Sequence, residues 1–318
     1  MGIRFQIEPH GPFHDIILHV RMLDRENRLQ QEAIGMLGVN LVYGAFHLAG
    51  NPKNFITSLI DDIGEERIEV DMIEFNGPNF EKFDNRILCL NLVERGLSNA
   101  IMFNREGFIV QAAEELYKKS CLIERGSFRP VTQVNLDMLE KAKTQFVSRD
   151  DVEEEKVEVF MELTLGNLLT EGDIDPEDFL ARIEVINACG YGVLVSNYFE
   201  YFRLSAYLRR HVKNPIGMVM GLNNLADIFK EELDGGILEA FGVLFKENVK
   251  IYSYPIEHGN FERYRKQIGR GDNVETEVND DGLVTIDNLL VAPNLRNLYK
   301  YVRENGFLIS IEDCDRKN

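Results

Sequence analysis

The alternation of apolar and polar residues in the second half of the chain predicts a strand, a helix and a second strand. The apolar run 191–195 ends at Ser196 and Asn197, helical spacing extends over residues 198–211, and a second apolar run occupies residues 216–220. This order is typical of a parallel crossover, in which both strands end at the same edge of a sheet. Ligands of open α/β sheets bind at that edge, so we expect a binding site there.

The rest of the chain also divides into strands and helices. One hairpin is predicted from residues 3–7 and 15–22, and another from residues 275–278 and 283–286, joined at Asp281-Gly282. Elsewhere strands alternate with helices, which favours a parallel sheet covered by helices. The predicted helices occupy residues 25–46, 51–63, 85–95, 112–119, 175–189, 225–232, 236–246, 258–266 and 294–303, and the further strands occupy residues 67–75, 100–103, 121–124 and 249–254. The pairs Asn51-Pro52 and Asp175-Pro176 mark two helix starts.

Residues 133–189 depart from this rhythm, because helical patterns with dense charge predominate there. Helices are predicted over residues 135–146 and 152–169. The segment is either a helical spacer between two α/β halves or a helical layer of one domain, and we adopt the first interpretation.

The sequence therefore predicts three domains. Residues 1–132 contain the hairpin, helices and the first α/β half; residues 133–189 form a helical connection; and residues 190–318 form the second α/β half. The predicted fold class is α/β, with two mainly parallel-sheet halves, flanking helices and an N-terminal β-hairpin.

Composition limits the partners of this chain. It has 318 residues, 44% of them hydrophobic, and a formal net charge of −18. Nucleic acids and anionic membranes attract basic surfaces, so neither is expected as a partner. No window approaches the roughly 18 consecutive apolar residues of a membrane-spanning helix, and the N-terminus lacks a signal-peptide pattern. The four cysteines are scattered without paired spacing, which favours a reducing, cytoplasmic location.

Residues 124–130 are the first candidate for binding a negatively charged group. They follow a predicted strand and include Arg125, Ser127 and Arg129. Arginine side chains and a Gly-Ser turn are common means of holding phosphate or carboxylate. The alternative is that these arginines offset neighbouring carboxylates at the surface. No nucleophile is identified, and Glu124 is the candidate for a general base.

Three polar residues at the ends of predicted strands form the second candidate. Ser196 and Asn197 follow one strand and Asn223 follows the next. Their side chains can both donate and accept hydrogen bonds to a ligand, or they can cap the helices that follow. His10, His14 and His19 lie near one another beside the first hairpin, but Gly11-Pro12 breaks the alternation there, and the other three histidines are isolated. Because the cysteines are also unpaired, no metal site is predicted. Walker A and GxGxxG motifs are absent, and the cofactor is unknown.

Several stretches resemble a bacterial family of uncharacterised proteins, and the likeness spans most of the chain. They are His19-Val20-Arg21-Met22-Leu23, Gln30-Gln31-Glu32-Ala33, Gly38-Val39-Asn40-Leu41-Val42-Tyr43-Gly44-Ala45, Tyr117-Lys118-Lys119, Glu124-Arg125-Gly126-Ser127-Phe128-Arg129-Pro130-Val131-Thr132 and Val195-Ser196-Asn197-Tyr198-Phe199-Glu200-Tyr201. Members of this family often carry the label TonB-dependent receptor or nicotinate-nucleotide adenylyltransferase, the second of which is a transferase. The resemblance also implies an additional N-terminal region before residue 1.

The residues support neither label. An outer-membrane receptor needs many amphipathic strands and a signal peptide, whereas this sequence predicts helices throughout. The adenylyltransferases carry a His-x-Gly-His motif, and the segment His10-Gly11-Pro12-Phe13-His14 lacks that spacing. The resemblance therefore supplies an expected fold and no active site.

We expect an enzyme-like protein that binds an anionic small molecule, phosphorylated or carboxylated, although the sequence leaves open whether it is an enzyme. The expected ligand residues face each other across one cleft: Arg125, Ser127 and Arg129 on one side, and Ser196, Asn197 and Asn223 on the other. The alternative is a non-catalytic structural or assembly protein, which would act through its acidic surface and through Tyr201 or Phe202 on the helix 198–208. A homo-oligomer is compatible with both.

Overall fold

Strands and helices alternate along the chain and form an α/β structure. The computed structural model describes residues 1–170, 173–229, 235–267, 274–276 and 282–312. The predicted α/β class and the antiparallel N-terminal hairpin are confirmed. The predicted helix starts are confirmed as well, since the side chains of Asn51 and Asp175 each accept a backbone N–H from the first helical turn.

The strands range from two to nine residues. In chain order they are β1 (Gly2–Phe5), β2 (His14–Met22), β3 (Ile68–Asn76), β4 (Ala100–Phe103), β5 (Ile109–Val110), β6 (Ser120–Arg125), β7 (Val157–Thr164), β8 (Leu169–Thr170), β9 (Asp173–Ile174), β10 (Gly192–Ser196), β11 (Ile216–Gly221), β12 (Val249–Tyr254), β13 (Ile256–Glu257), β14 (Val274–Thr276), β15 (Leu283–Val284), β16 (Leu289–Val291) and β17 (Leu308–Ser310).

The helices range from single turns to the 21 residues of the first one. In chain order they are α1 (Asn27–His47), α2 (Pro52–Ser58), α3 (Asn85–Glu94), α4 (Ala112–Glu115), α5 (Gln133–Val147), α6 (Leu165–Leu168), α7 (Pro176–Ala188), α8 (Tyr201–His211), α9 (Leu222–Ile228), α10 (Ile237–Leu244), α11 (His258–Gln267) and α12 (Arg296–Glu304). Among the described residues, no helix is both long and apolar enough to cross a membrane.

The chain forms two compact units, each built from two separate segments. The first unit comprises Met1–Glu115 and Leu163–Asn197, and the second comprises Leu116–Glu162 and Tyr198–Asn318. The domains expected from the sequence are three consecutive stretches of chain that meet at residues 132 and 189. The observed units differ from them, because each unit combines two segments that are distant in the sequence.

In the first unit, the described strand pairs are antiparallel. Strand β2 lies between β1 and β3, and β4 lies between β10 and β5. Alternate residues of β2, such as Ile16 and Leu18, are buried, whereas Ile17 between them is exposed. This alternation is typical of a sheet that covers a core on one side only.

The second unit contains a parallel sheet with the strand order β17-β12-β11-β6-β7. All but the last residue of both β6 and β11 are buried, which explains why these strands are continuous apolar runs in the sequence. Helix α5 connects β6 to the parallel strand β7 as a crossover. Since parallel strands point the same way, their carboxyl ends lie at one edge of the sheet.

Two sequence-based predictions are wrong. Residues 152–169 do not form one helix, because they contain strand β7 followed by the single-turn helix α6, so the connection at residues 133–189 is not wholly helical. Glutamates such as Glu158 and Glu162 favour a helix in an isolated pattern, but tertiary pairing overrides that propensity. The predicted second hairpin, in which residues 275–278 pair with residues 283–286, is also wrong. The corresponding strands β14 and β15 pair with β16 and β13 and not with each other. The turn of this hairpin at residues 277–281 lies outside the described residues.

We predict that Gly217→Ala destabilises the second unit. A Cβ atom at Gly217 would lie 2.5 Å from Cδ1 of Leu122, 3.1 Å from Cε2 of Tyr252 and 3.2 Å from Cδ2 of Phe146. The core around β11 must therefore shift, at an expected cost of about 1–3 kcal/mol in the free energy of unfolding. Urea denaturation measures this change.

The control is Gly242→Ala in α10, where the added Cβ meets nothing within 4 Å. That variant should gain up to about 1 kcal/mol, because alanine favours a helix over glycine. Equal stability of the two variants would contradict the packing described for Gly217.

Candidate functional site

A cavity of about 650 Å³ lies in the second unit at the carboxyl ends of β6, β11 and β12. Residues at these strand ends line it, including Glu124, Gly221 and Tyr254. The rest of the lining comes from the first two turns of α5, the first turns of α9 and α11, and residues 255–257 and 282–283. Its position agrees with the rule that ligands of parallel α/β sheets bind beyond the carboxyl ends of the strands.

Glu124 is a fully buried carboxyl group in the wall of this cavity. Its Oε1 accepts a hydrogen bond of 2.7 Å from Nδ2 of Asn135, whereas its Oε2 has no hydrogen-bond partner among the described residues. Burial raises the pKa of Glu124 to about 8, although the bond from Asn135 acts in the opposite direction. At neutral pH the group is therefore mostly protonated. The proton belongs on Oε2, because Oε1 already accepts an N–H.

The orientation of Asn135 follows from a capping box at the start of α5. The backbone N–H of Thr132 donates to Oδ1 of Asn135 at 3.0 Å, and the N–H of Asn135 donates to Oγ1 of Thr132 at 3.3 Å. Because Oδ1 accepts at the cap, the amide nitrogen is free to face Glu124. Local helix capping therefore determines which hydrogen bond the buried acid receives.

Arg125 borders the same cavity but is held by protein groups. Its Nε and Nη2 donate to the two carboxylate oxygens of Glu162 at 2.7 and 2.9 Å, and its Nη1 donates to the carbonyl oxygen of Phe199 at 2.6 Å. The guanidinium also lies 4.4 Å from the ring centroid of Tyr201. The charge of Arg125 is thus largely balanced by Glu162, which is completely buried.

The structure assigns the other predicted ligand residues to different places. Asn223 borders the cavity, whereas Ser127 and Arg129 are exposed in the loop after β6. Ser196 and Asn197 belong to the first unit, where Ser196 is buried opposite Ala100 and the N–H of Asn197 donates to a backbone carbonyl at 2.9 Å. They do not cap the following helix, because α8 begins at Tyr201 with Glu200 as its N-cap. Anion binding by these residues stays a prediction.

Sequence reasoning missed three further groups at the cavity: Asn135, Tyr254 and His258. Tyr254 ends β12, and its hydroxyl donates to the carboxylate of Asp137. The strand-end rule that identified Asn223 would have identified Tyr254 as well. Asn135 and His258 belong to first turns of helices, and the sequence has no signal that these helices begin beside β6. Within the part of the chain that is described, no cluster of three or more His, Cys, Asp or Glu residues could hold a metal ion.

Comparison with known proteins adds no family assignment. No protein-family model matches this chain, and no curated protein matches it significantly. The resemblance noted from the sequence therefore stays an expectation.

We predict that Glu124 makes stability fall as the pH rises. Its pKa is about 8 in the folded protein and near 4.5 ordinarily, so the folded state keeps a proton that the unfolded state has lost. The stabilisation is complete below about pH 4.5 and disappears as the pH passes 8, with a total on the order of 5 kcal/mol. Glu124→Gln is neutral at every pH and should remove this dependence. Urea unfolding over the range from about pH 5 to 9 measures the pH dependence of the free energy of unfolding.

The matched control is Glu257→Gln, which changes an exposed carboxylate at the same cavity. It should keep the pH dependence of the natural protein. A Glu124→Gln variant with an unchanged pH profile would show that this acid is ionised in the folded state.

We also predict that Arg125→Met strongly destabilises the second unit. The substitution removes the bidentate cationic partner of the buried Glu162, and breaking a buried ion pair typically costs about 3–5 kcal/mol. Replacing both residues by Met should cost less than either single change, because no buried charge is then unpaired. A double-mutant cycle in urea measures the coupling.

The comparison pair is Arg4 and Asp15, whose side chains also form a salt bridge but with Arg4 largely exposed. Arg4→Met should leave stability nearly unchanged. If Arg125→Met behaved in the same way, the burial of the Arg125–Glu162 pair would be refuted.

Proposed function

We propose that this protein binds a small molecule carrying a carboxylate or phosphate group in the cavity beside Glu124, and that Glu124 donates a proton to it. One observation carries the proposal: a fully buried acid, mostly protonated at neutral pH, borders a cavity with one oxygen that lacks a partner among the described residues. Such an oxygen costs stability unless a ligand satisfies it, and titratable groups with strongly shifted pKa values cluster at functional sites.

The size and lining of the cavity suit a small molecule with one polar end. A volume of about 650 Å³ falls within the range of known ligand pockets. Glu124, Asn135 and Asn223 provide the polar end. Apolar side chains form much of the remaining wall, and they include Met138, Leu222, Pro255, Ile256 and Leu283.

Two features favour a negatively charged polar end. The first turns of α5 and α11 border the cavity, and the N-terminus of a helix carries a partial positive charge. The protonated Glu124 is a hydrogen-bond donor, which suits an anionic oxygen, whereas an ionised carboxylate would repel it. Arg125 contributes in this proposal by fixing the wall of the site through Glu162 and Phe199.

The chemistry we assign to Glu124 is general acid catalysis, followed by general base catalysis from the carboxylate that remains. A group whose pKa is near the working pH can both give up and recover a proton. The hydrogen bond from Asn135 favours the ionised state of Glu124, since it lowers the pKa of this acid. In this proposal the cavity combines one proton donor with one region that binds an anion, as an enzyme acting on a small acid or phosphate ester requires.

The alternative of a non-catalytic assembly protein stays a proposal with a different basis. Tyr201 and Phe202 were the expected contact residues, and both are half-buried, with the Tyr201 ring beside Arg125. The exposed aromatic residue in this region is Phe199. The buried acid Glu124 supports the ligand-binding proposal, and it does not support an assembly role.

We predict that charged small molecules raise the melting temperature and that their uncharged analogues do not. The probes are AMP, glucose 6-phosphate and 2-oxoglutarate, with adenosine and glucose as the uncharged counterparts. A ligand at 100 times its dissociation constant adds about 2.7 kcal/mol to the free energy of unfolding. Affinity should fall above about pH 8, as Glu124 loses its proton.

Glu124→Gln separates the role of the proton from that of the cavity. The amide still donates a hydrogen bond, so a probe that binds should do so with an affinity that no longer depends on pH. Glu257→Gln should retain the natural pH dependence. The proposal fails if uncharged analogues bind equally well, or if no phosphate or carboxylate probe shifts the melting temperature.

A further inference from the structure

Helix α1 in the first unit is apolar on its outer face as well as on its inner face. Its buried residues include Leu37 and Leu41, as expected for a helix that covers a core. On the outer side Val39, Val42, Tyr43 and Phe46 are 69, 49, 57 and 55% exposed. Their spacing of three and four residues brings them together on one face, which we name the α1 stripe. A helix that is apolar all round is normally covered on all sides.

The α1 stripe is also uncharged, in contrast to the rest of the chain. Residues 33–52 contain no Asp, Glu, Lys or Arg, although 28% of all residues are charged and the net charge is −18. Like charges repel two copies of such a protein over most of their surface. The α1 stripe itself carries no charge, so a contact between two copies that is limited to the stripe brings no like charges together. The acidic residues Glu32, Asp61 and Asp62 border a groove on one flank of Val39 and form a polar rim outside the stripe.

The stripe has open space at its beginning and large, partly exposed rings at its end. At its beginning, Gly35 and Gly38 leave open space, since a Cβ atom at Gly35 would meet nothing within 4 Å and one at Gly38 would meet only a Met1 methyl group at 3.9 Å. At its end the large rings of Tyr43 and Phe46 project. A groove of about 620 Å³ runs between the two ends. The distance from Gly35 to Phe46 along the helix axis is about 16 Å.

We propose that the α1 stripe is the interface of a homodimer, with two α1 helices packed antiparallel around a two-fold axis. In this arrangement Tyr43 and Phe46 of one copy occupy the space above Gly35 and Gly38 of the other, and the same contact forms twice. Each ring then buries roughly 100 Å² of apolar surface. A specific interface buries about 800 Å² per partner, so the stripe forms the apolar centre and the residues beside it form the rim. This inference is independent of the function proposed for the cavity.

Sedimentation velocity tests the proposal on the full chain. Over ~5 to ~500 µM, which covers micromolar dissociation constants, the natural protein should change from the mass of one chain to that of two. Val39→Glu adds an exposed charge to the stripe and should leave a monomer over the whole range. Gly35→Leu fills the open space without adding charge and should also abolish the dimer.

The two variants exclude a trivial loss of folding. Gly35→Leu replaces a helical glycine, so its melting temperature at low concentration should be equal to or higher than that of the natural protein. The control Leu238→Glu changes a residue in the second unit that is 75% exposed, and should leave the dimer intact. A natural protein that stays monomeric at the highest concentration would overturn the proposal. So would a dimer that survives both stripe variants, or one that Leu238→Glu also abolishes.

Discussion

Two carboxyl groups without solvent exposure constrain the second unit: Glu124 at the end of β6 and Glu162 on the neighbouring strand β7. A parallel sheet covered on both faces leaves no water to stabilise a charge. The protein solves this problem in two ways. Arg125 provides Glu162 with a bidentate cationic partner. Glu124 has no cation bonded to it among the described residues, and burial raises its pKa to about 8.

Glu124 and Arg125 are neighbours in the sequence. The salt bridge from Arg125 to Glu162, which stabilises the sheet, therefore also positions the candidate proton donor Glu124. Arg125 ties β6 to β7 and to the backbone at Phe199, so the strand end that carries Glu124 is held on both sides. The capping box of α5 adds a third restraint through Asn135. The buried acid is therefore preorganised by contacts that need no ligand, and a ligand would meet a donor whose direction is already determined.

Much of the fold could be predicted because its signals are local. Asn51 and Asp175 marked helix starts through capping, and the buried strands β6 and β11 were visible as apolar runs. Strand β7 was missed because the partner of Glu162 is Arg125, which is 37 residues earlier in the chain. A glutamate that is neutralised by a distant arginine has the same local pattern as one on an exposed helix.

The candidate site could be predicted only in part, for a related reason. The end of β6 and the end of β11 were correctly identified as strand ends, and Glu124, Arg125 and Asn223 there border the cavity. Asn135 and His258 reach the same cavity from helices whose placement depends on how the chain crosses over the sheet. Ser196 follows the same local rule as Asn223, yet it belongs to the first unit. Membership of a unit depends on long-range packing and not on any motif.

The discontinuous architecture has a consequence for synthesis of the protein. Each unit consists of two segments, and the chain passes from one unit to the other after Glu115, after Glu162 and after Asn197. The first unit cannot be completed on the ribosome until Asn197 has emerged. By then strands β6 and β7 of the second unit are already outside, whereas β11, which pairs with β6, has yet to emerge. These early strands must wait for their later neighbours, and premature release of the chain would leave an apolar sheet edge open to association with other nascent chains.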